Sequence, residues 1–379
     1  MQTCTRCIYD DVHIPYITFD AEGVCNYCRQ ADQLEREYPT GPEGEKIIRA
    51  MVERIKREQK GKKYDVAVGI SGGCDSSYML MKAVEWGLRP LAVHFDNTWN
   101  STTAVENIHN IITNLKVDLY TLVVNSREFC DILHSFLKAS VPALDIPTDI
   151  GLAATHYIAA QKYGIKYIFE GHSFRTEGIS PYGWFYIDGK YISSVHKRFG
   201  TMKMKTFPNL TILRQLWWMG VLGIKKIRPL YYMDYNKAEA KKELAAKLGW
   251  KWYGGHHQEN RSAYFTINYY LPTRFGIDLR YSEFSALIRA GQMTREQGLE
   301  QIKAPKDYDP EITAEFKKRL GISEPEWEQI MNAPKRTHHD FKTYKKTFEF
   351  LRPLFWLIYK MDRIPKSFYM KYTIKYKDK

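Results

Sequence analysis

The sequence predicts an α/β protein built on a parallel, doubly wound sheet, with a cysteine-bearing segment before it and a mainly helical region after it. Three observations carry that prediction. From Lys63 onward, short β-branched runs alternate with longer amphipathic ones, the pattern of repeated strand–helix units. The first of those runs breaks through a glycine turn directly into a helical pattern. Beyond about residue 235 the apolar spacing becomes largely helical, with loops rich in Tyr, His and Gly.

Taken in order, residues 1–30 are turn-rich and hold four cysteines. Residues 31–63 combine a linker and a helix: Pro39-Thr40-Gly41-Pro42 is punctuation, and Ile47, Ile48, Met51, Val52 and Ile55 recur at helical spacing. Residues 64–235 form the sheet domain. Asp65–Ile70 reads as a buried strand and Ser76–Trp86 as its helix; Leu91–Phe95 is a second strand, followed by a helix to about Leu115. Leu119–Val124 is a third strand, 127–138 and 150–163 are helical, and Tyr167–Phe169 is a fourth strand. Residues 236–334 read as a mainly helical region, and 335–379 as a basic, aromatic tail. Ligands of doubly wound sheets sit at the carboxyl ends of the strands.

The chain has 379 residues, 44% hydrophobic and 26% charged, ordinary for a globular protein with room for two or three packed units. The start MQTCTRCIYDD lacks a basic region followed by an apolar run, and no long uncharged apolar stretch occurs. A cytoplasmic protein is therefore expected. Formal net charge is +13. Residues 335–379 hold 13 Lys/Arg against four acids, a net +9, and Gly189–Met233 contains no Asp or Glu. Such asymmetry points to polyanionic partners or to a solvated basic face.

The chemistry-bearing motif is Ser71-Gly72-Gly73-Cys74-Asp75-Ser76-Ser77. Its glycines let backbone approach an anion, and the following helix directs free N–H groups and its positive dipole end at it. Ser71, Ser76 and Ser77 add hydroxyl donors. Asp75 is out of place as an anion ligand, so it holds the loop or helps position Mg²⁺. No G-K-[ST] follows, so this is not a Walker loop. The string SGGxDSS between strand and helix resembles the PP-loop of the adenine nucleotide alpha-hydrolase superfamily. That resemblance implies a HUP-like sheet, ATP as substrate, and AMP and pyrophosphate as products. It further implies adenine near the backbone of Val93, His94 and Phe95, with Asp96 facing the ligand. Gly171-His172 would lie near the phosphates, and Arg228-Pro229-Leu230 matches a late segment of the relatives. An Asp75→Ala change is expected to remove pyrophosphate release and leave the fold intact.

Cys4-x2-Cys7 and Cys25-x2-Cys28 are separated by 17 residues, a spacing that reads as a structural zinc site. In so short a segment the metal would supply folding energy that a core cannot. Cys74 takes the variable position of the glycine loop, and Cys130 lies in a helical pattern where a buried, inert thiol is expected.

The second half carries Tyr253-Gly254-Gly255-His256-His257-Gln258-Glu259, Asp278–Ser282 and Leu287–Glu296. With the two CxxC pairs, these resemble the N-acetyl sugar amidotransferases, from Cys4 to about residue 310. The family pattern YGG-x-HHE is interrupted here by Gln258. The resemblance implies conversion of the N-acetyl group of a sugar nucleotide into an acetamidino group, for O-antigen or flagellin glycans. Under it, His256, His257 and Glu259 orient the acceptor or manage ammonia's proton. Glutaminase chemistry needs a cysteine exposed behind Met1 or in a glycine-flanked elbow. Residue 2 is Gln, and neither Cys74 nor Cys130 has that setting. Ammonia is therefore expected from a separate glutaminase subunit, imidazole-glycerol-phosphate-synthase-like by the resemblance, or from solution.

A PP-loop enzyme of tRNA thiolation is the rival reading, favoured by the charge. Against it, only Cys74 and Cys130 remain outside the zinc set, with no CxxC between them, so nucleic acid is not the expected partner. In Gly189–Met233, the residues Lys197, Arg198, Lys203, Lys205, Trp217 and Trp218 are candidates for gripping substrate phosphates or a carboxylate. The tail's interleaved aromatics and cations would suit an anionic inner-membrane surface, an acidic partner face, or packing on the core.

Overall fold

The computed structural model describes residues 1–255, 257–361, 364, 369, 372 and 373. Five strands, β1 (Val66–Gly69), β2 (Pro90–Asp96), β3 (Asp118–Val123), β4 (Tyr167–Phe169) and β5 (Lys225–Ile227), form one sheet in the order β3-β2-β1-β4-β5. Every neighbouring pair is parallel, as the alternating pattern predicts. β1 and β4 are buried throughout, whereas the edge strand β3 alternates toward solvent. The sequence reading passed over β5. It is three residues long and two of them are lysines, so it lacks the apolar run that marks a strand.

The chain leaves β1 for β2 on one side and later returns to β4 on the other. A crevice opens at such a reversal, outside the carboxyl ends of the strands. The glycine loop after β1 and Gly171-His172 after β4 both lie there.

Before the sheet, α1 (Asn26–Glu37) and α2 (Gly41–Glu58) are separated by Tyr38-Pro39-Thr40. The sheet helices are α3 (Cys74–Glu85), α4 (Thr102–Leu115), α5 (Ser126–Ala139) and α6 (Ile146–Tyr163), with α7 (Gly189–Phe199) and α8 (Ile212–Gln215) in the long excursion between β4 and β5. α9 (Lys237–Leu248) follows β5; Asn236 caps its first turn by accepting from two amides, and Gly249 ends it at φ +65°. α10 (Arg261–Phe265) runs through a π-helical turn into α11 (Leu271–Phe275). Pro272 supplies no amide to the helical ladder there, which accounts for the widened turn. α12 (Arg280–Arg289), α13 (Arg295–Gln301), α14 (Pro310–Leu320), α15 (Glu324–Asn332), α16 (Lys345–Phe350) and α17 (Arg352–Lys360) follow.

One face of the sheet packs on α2, α3, α4 and α9 through side chains such as Ile55, Leu80, Ile111 and Leu244. The opposite face packs on α5 and α6, and this core extends outward to Phe265, Phe316 and Trp327. Phe348 and Phe355 of the basic tail are each 1% exposed and belong to the same core. Arg336 donates its amide to the Ser140 carbonyl and Tyr344 donates to Asp188. Of the three alternatives open for the tail, packing on the core accounts for these residues.

Candidate active site at the glycine loop

Gly72 stands at φ +80°, and a Cβ there would lie 2.4 Å from the Ala104 carbonyl oxygen, so only glycine fits this approach to α4. The Gly72 carbonyl accepts from Asn107 Nδ2 at 3.2 Å and from Trp250 Nε1 at 2.9 Å. Ser76 Oγ accepts from the Ser71 amide, Ser71 Oγ accepts from the Gly73 amide, and Ser77 Oγ donates to the Gly73 carbonyl. The three serines thus fold the loop as well as offering hydroxyls to its mouth. Gly171 closes the other wall. A Cβ on it would come within 2.8 Å of the Asp75 carbonyl oxygen and of Ser76 Cα.

Asp75 is the second residue of α3 and its side chain is largely buried. Its carboxylate pairs with Lys237 Nζ at 2.9 Å and accepts from the Tyr235 hydroxyl at 2.6 Å. Burial pushes its pKa up, but Lys237 and Tyr235 outweigh that and hold the carboxyl below its ordinary range. These contacts tie the start of α3 to the segment that leads into α9.

Tyr253, His257 and Glu259 fold over the loop. The Tyr253 hydroxyl accepts from the Cys74 amide at 3.4 Å. His257 sits at φ +55°, a left-handed conformation uncommon outside glycine. Its Nδ1 lies 3.6 Å from Glu259 Oε1, and Ser71 Oγ donates to that oxygen at 3.5 Å. Glu259 Oε2 is buried with no hydrogen-bond partner among the described residues. An orphaned carboxylate oxygen beside an anion loop suits a hard cation, so the residues fit Mg²⁺ with Glu259 as a ligand. Burial opposes the charge on His257, yet Glu259 and Glu177 raise its pKa to about 9. His256 lies outside the described residues.

His172 faces the cleft with 40% of its side chain accessible; Nε2 lies 3.2 Å from Glu177 and Nδ1 3.0 Å from the Tyr231 hydroxyl. Desolvation by the surrounding protein and the nearby Arg228 lower its pKa, favouring the neutral ring. Burial, reinforced by Asp75, raises Glu177 to about 7. Arg228 is bound to Glu170 at 3.1 Å, with Lys226 on the other oxygen at 2.6 Å.

At the end of β2, Asp96 Oδ1 accepts from the Thr98 amide and Asn100 Nδ2. His94 Nδ1 lies 2.9 Å from the Ile70 carbonyl, which can only accept, so Nδ1 carries the proton. The Val93 carbonyl accepts from the Ile70 amide and is committed to the sheet.

Glu177, Tyr235 and Lys237 were not singled out from the sequence. Each lies on a stretch whose neighbours were noted, but no spacing rule brings 75 to 237. In the acid-free stretch, Lys197, Arg198 and Lys203 are exposed. The Lys205 amide is tied to Glu128, and Trp218 is buried, stacked on Tyr157 at 5.1 Å and donating to Gln161. Trp217, 49% exposed, is the tryptophan of that pair left for a ligand.

The four cysteines meet although 17 residues divide the pairs. Cys4 and Cys28 sulfurs lie 3.9 Å apart, Cys7 and Cys25 3.8 Å, and all four are buried within 4.8 Å of one another. Zn–S bonds of about 2.3 Å in a tetrahedron set sulfurs about 3.8 Å apart, so the donor set fits zinc. The Arg6 and Cys25 amides donate to Cys4 Sγ, and Arg289 reaches Cys28 Sγ at 3.8 Å, offsetting thiolate charge. Arg295 donates to the Cys4 and Cys7 carbonyls. Trp184, Leu271 and Ile277 pack on the cluster and join it to the main body.

Residues 259–354 match the model of the family described as LPS biosynthesis protein WbpG-like, C-terminal domain. The match begins at Glu259 and runs into the tail as far as residue 354, past the end near residue 310 expected from the sequence resemblance. No curated protein matches the chain. Among solved structures, the chain is similar to NMN synthetase from Francisella tularensis, at 14% identity over 73% of this chain and 96% of that one, TM-score 0.36. It is also similar to NH3-dependent NAD synthetase from Campylobacter jejuni subsp. jejuni, at 14% over 77% and 98%, TM-score 0.32. A third is the U34-tRNA thiolase NcsA from Methanococcus maripaludis, at 13% over 86% and 99%, TM-score 0.29. Of the residues that close over the glycine loop, Glu259 lies within the matched region and Tyr253 and His257 precede it.

Proposed function

We propose that this chain is an ATP-dependent amidotransferase of surface-glycan synthesis, converting the N-acetyl group of a sugar nucleotide into an acetamidino group. One observation carries the reading. Glu259, where the WbpG-like match begins, sets its carboxylate against Ser71 of the SGGCDSS loop, so the matched domain and the phosphate loop share one site.

In this reading the N-acetyl carbonyl oxygen attacks the α-phosphorus of ATP and the bond to pyrophosphate breaks, leaving an O-adenylyl imidate. Ammonia adds to the imidate carbon and loses a proton, and AMP departs with the former carbonyl oxygen. The glycine loop and α3 would cradle the pyrophosphate. Mg²⁺, held through Glu259, would neutralise phosphate charge when bound. Glu177, with a pKa of about 7, is suited to take the proton from attacking ammonia, and neutral His172 would orient it. His257, Lys237 and Asp75 would fix the loop's geometry. A separate glutaminase subunit would supply ammonia.

Sulfur transfer needs a thiol that ionises readily. Burial pushes the Cys74 thiol up to about 11 and also raises Cys130, which favours amidation over thiolation. The test is pyrophosphate release from ATP with ammonia, comparing N-acetylated sugar nucleotides with bulk tRNA. Release dependent on a sugar nucleotide, with oxygen replaced by NH in the product, supports the reading. Release dependent only on tRNA sinks it.

A further inference from the structure

Among the described residues, 17 large hydrophobic side chains are exposed, and five of them, Phe350, Leu354, Trp356, Leu357 and Met361, fall within twelve positions of the tail. Phe350, Leu354, Leu357 and Met361 recur four, three and four residues apart across α16 and α17, the spacing of one helical stripe. Phe348 and Phe355 form the opposite stripe and are buried in the core. The element is therefore apolar on two sides, with the inner one already satisfied. Exposed cations flank the outer one: Lys346, Arg352 and Lys360, the last 5.6 Å from the Trp356 ring centroid.

We propose that α16–α17 docks this protein on an anionic lipid surface, its outer stripe entering the headgroup boundary. The charge selects lipid as the occupant. Residues 342–361 carry five Lys/Arg and one acid. Protein interfaces deplete lysine around their apolar centres, whereas a lipid surface accommodates it, because the long stems lie along apolar matter while the ammonium reaches phosphate. No helix among the described residues is long and apolar enough to cross a membrane, so the contact is in-plane. This inference stands independently of the reaction.

The test is co-sedimentation of the full chain with phosphatidylcholine vesicles and with vesicles containing phosphatidylglycerol. Binding to the anionic vesicles alone is expected. Raised salt, Lys346→Glu/Arg352→Glu and Leu354→Glu/Leu357→Glu should each lower the bound fraction, on the order of tenfold, with unchanged circular dichroism. Absence of binding to both vesicle types overturns the proposal, as does equal binding to both that ignores the variants. A concentration-dependent dimer that Leu354→Glu/Leu357→Glu dissociates also overturns it, since a second copy would then cover the stripe.

Discussion

Asp75 and Lys237 form an ion pair 2.9 Å long at the base of the glycine loop, each side chain no more than 15% accessible. The Tyr235 hydroxyl holds the second carboxylate oxygen. Removing one partner of such a pair leaves an uncompensated buried charge, at about 3–5 kcal/mol. Asp75→Ala should therefore lose stability as well as pyrophosphate release, contrary to the expectation from sequence that the fold stays intact. Urea denaturation measures the loss. Asp75→Ala/Lys237→Met should regain much of it while staying inactive, and an Asp75→Ala protein as stable as wild type would contradict the pairing.

Gly171→Ala places a methyl against the Asp75 carbonyl and Ser76 Cα, both backbone, so α3 must shift. Displacing reacting groups by about 1 Å can lower rates about a hundredfold. ATP-dependent pyrophosphate release should fall by about that factor with the zinc content unchanged. Wild-type rates from the variant would show that β4 and α3 do not jointly shape the site.

His257 titrates at about 9 in the folded chain against about 6.5 in the unfolded one. The folded state holds this proton more tightly. Its stabilising contribution is thus complete below about pH 6.5 and is lost as pH rises through about 9. Thermal melts of wild type and His257→Gln should differ most on the acidic side of that window and converge above it. A difference that grows with pH would contradict the assignment to Glu259 and Glu177.

Removing metal from the four-cysteine cluster should loosen more than residues 1–30, because Trp184, 3% exposed, packs on the same cluster. The purified chain is expected to carry one zinc, and Cys7→Ser or chelation should red-shift tryptophan fluorescence and open the segment to protease. An unchanged emission spectrum in metal-free protein would show that the cluster folds without metal.

The sheet was legible because buried strands such as Val66–Gly69 are continuous apolar runs and their helices have clear periodicity. The glycine loop and the CxxC pairs were legible because each is a local spacing. What brings Glu259 to Ser71, or Lys237 to Asp75, is tertiary packing, with no local signal. β5 was hidden by its two lysines, and the tail's packing on the core stayed one of three alternatives because cations flank Phe348 and Phe355.

The central claim is that the acceptor's own carbonyl oxygen attacks ATP. The most direct measurement uses an N-acetylated sugar nucleotide with heavy oxygen in that carbonyl, turned over with ATP and ammonia, and reads the label by mass spectrometry. The account predicts the label in the phosphate of AMP and none in pyrophosphate. Unlabelled AMP, with the heavy oxygen retained in the sugar or lost to water, would contradict it.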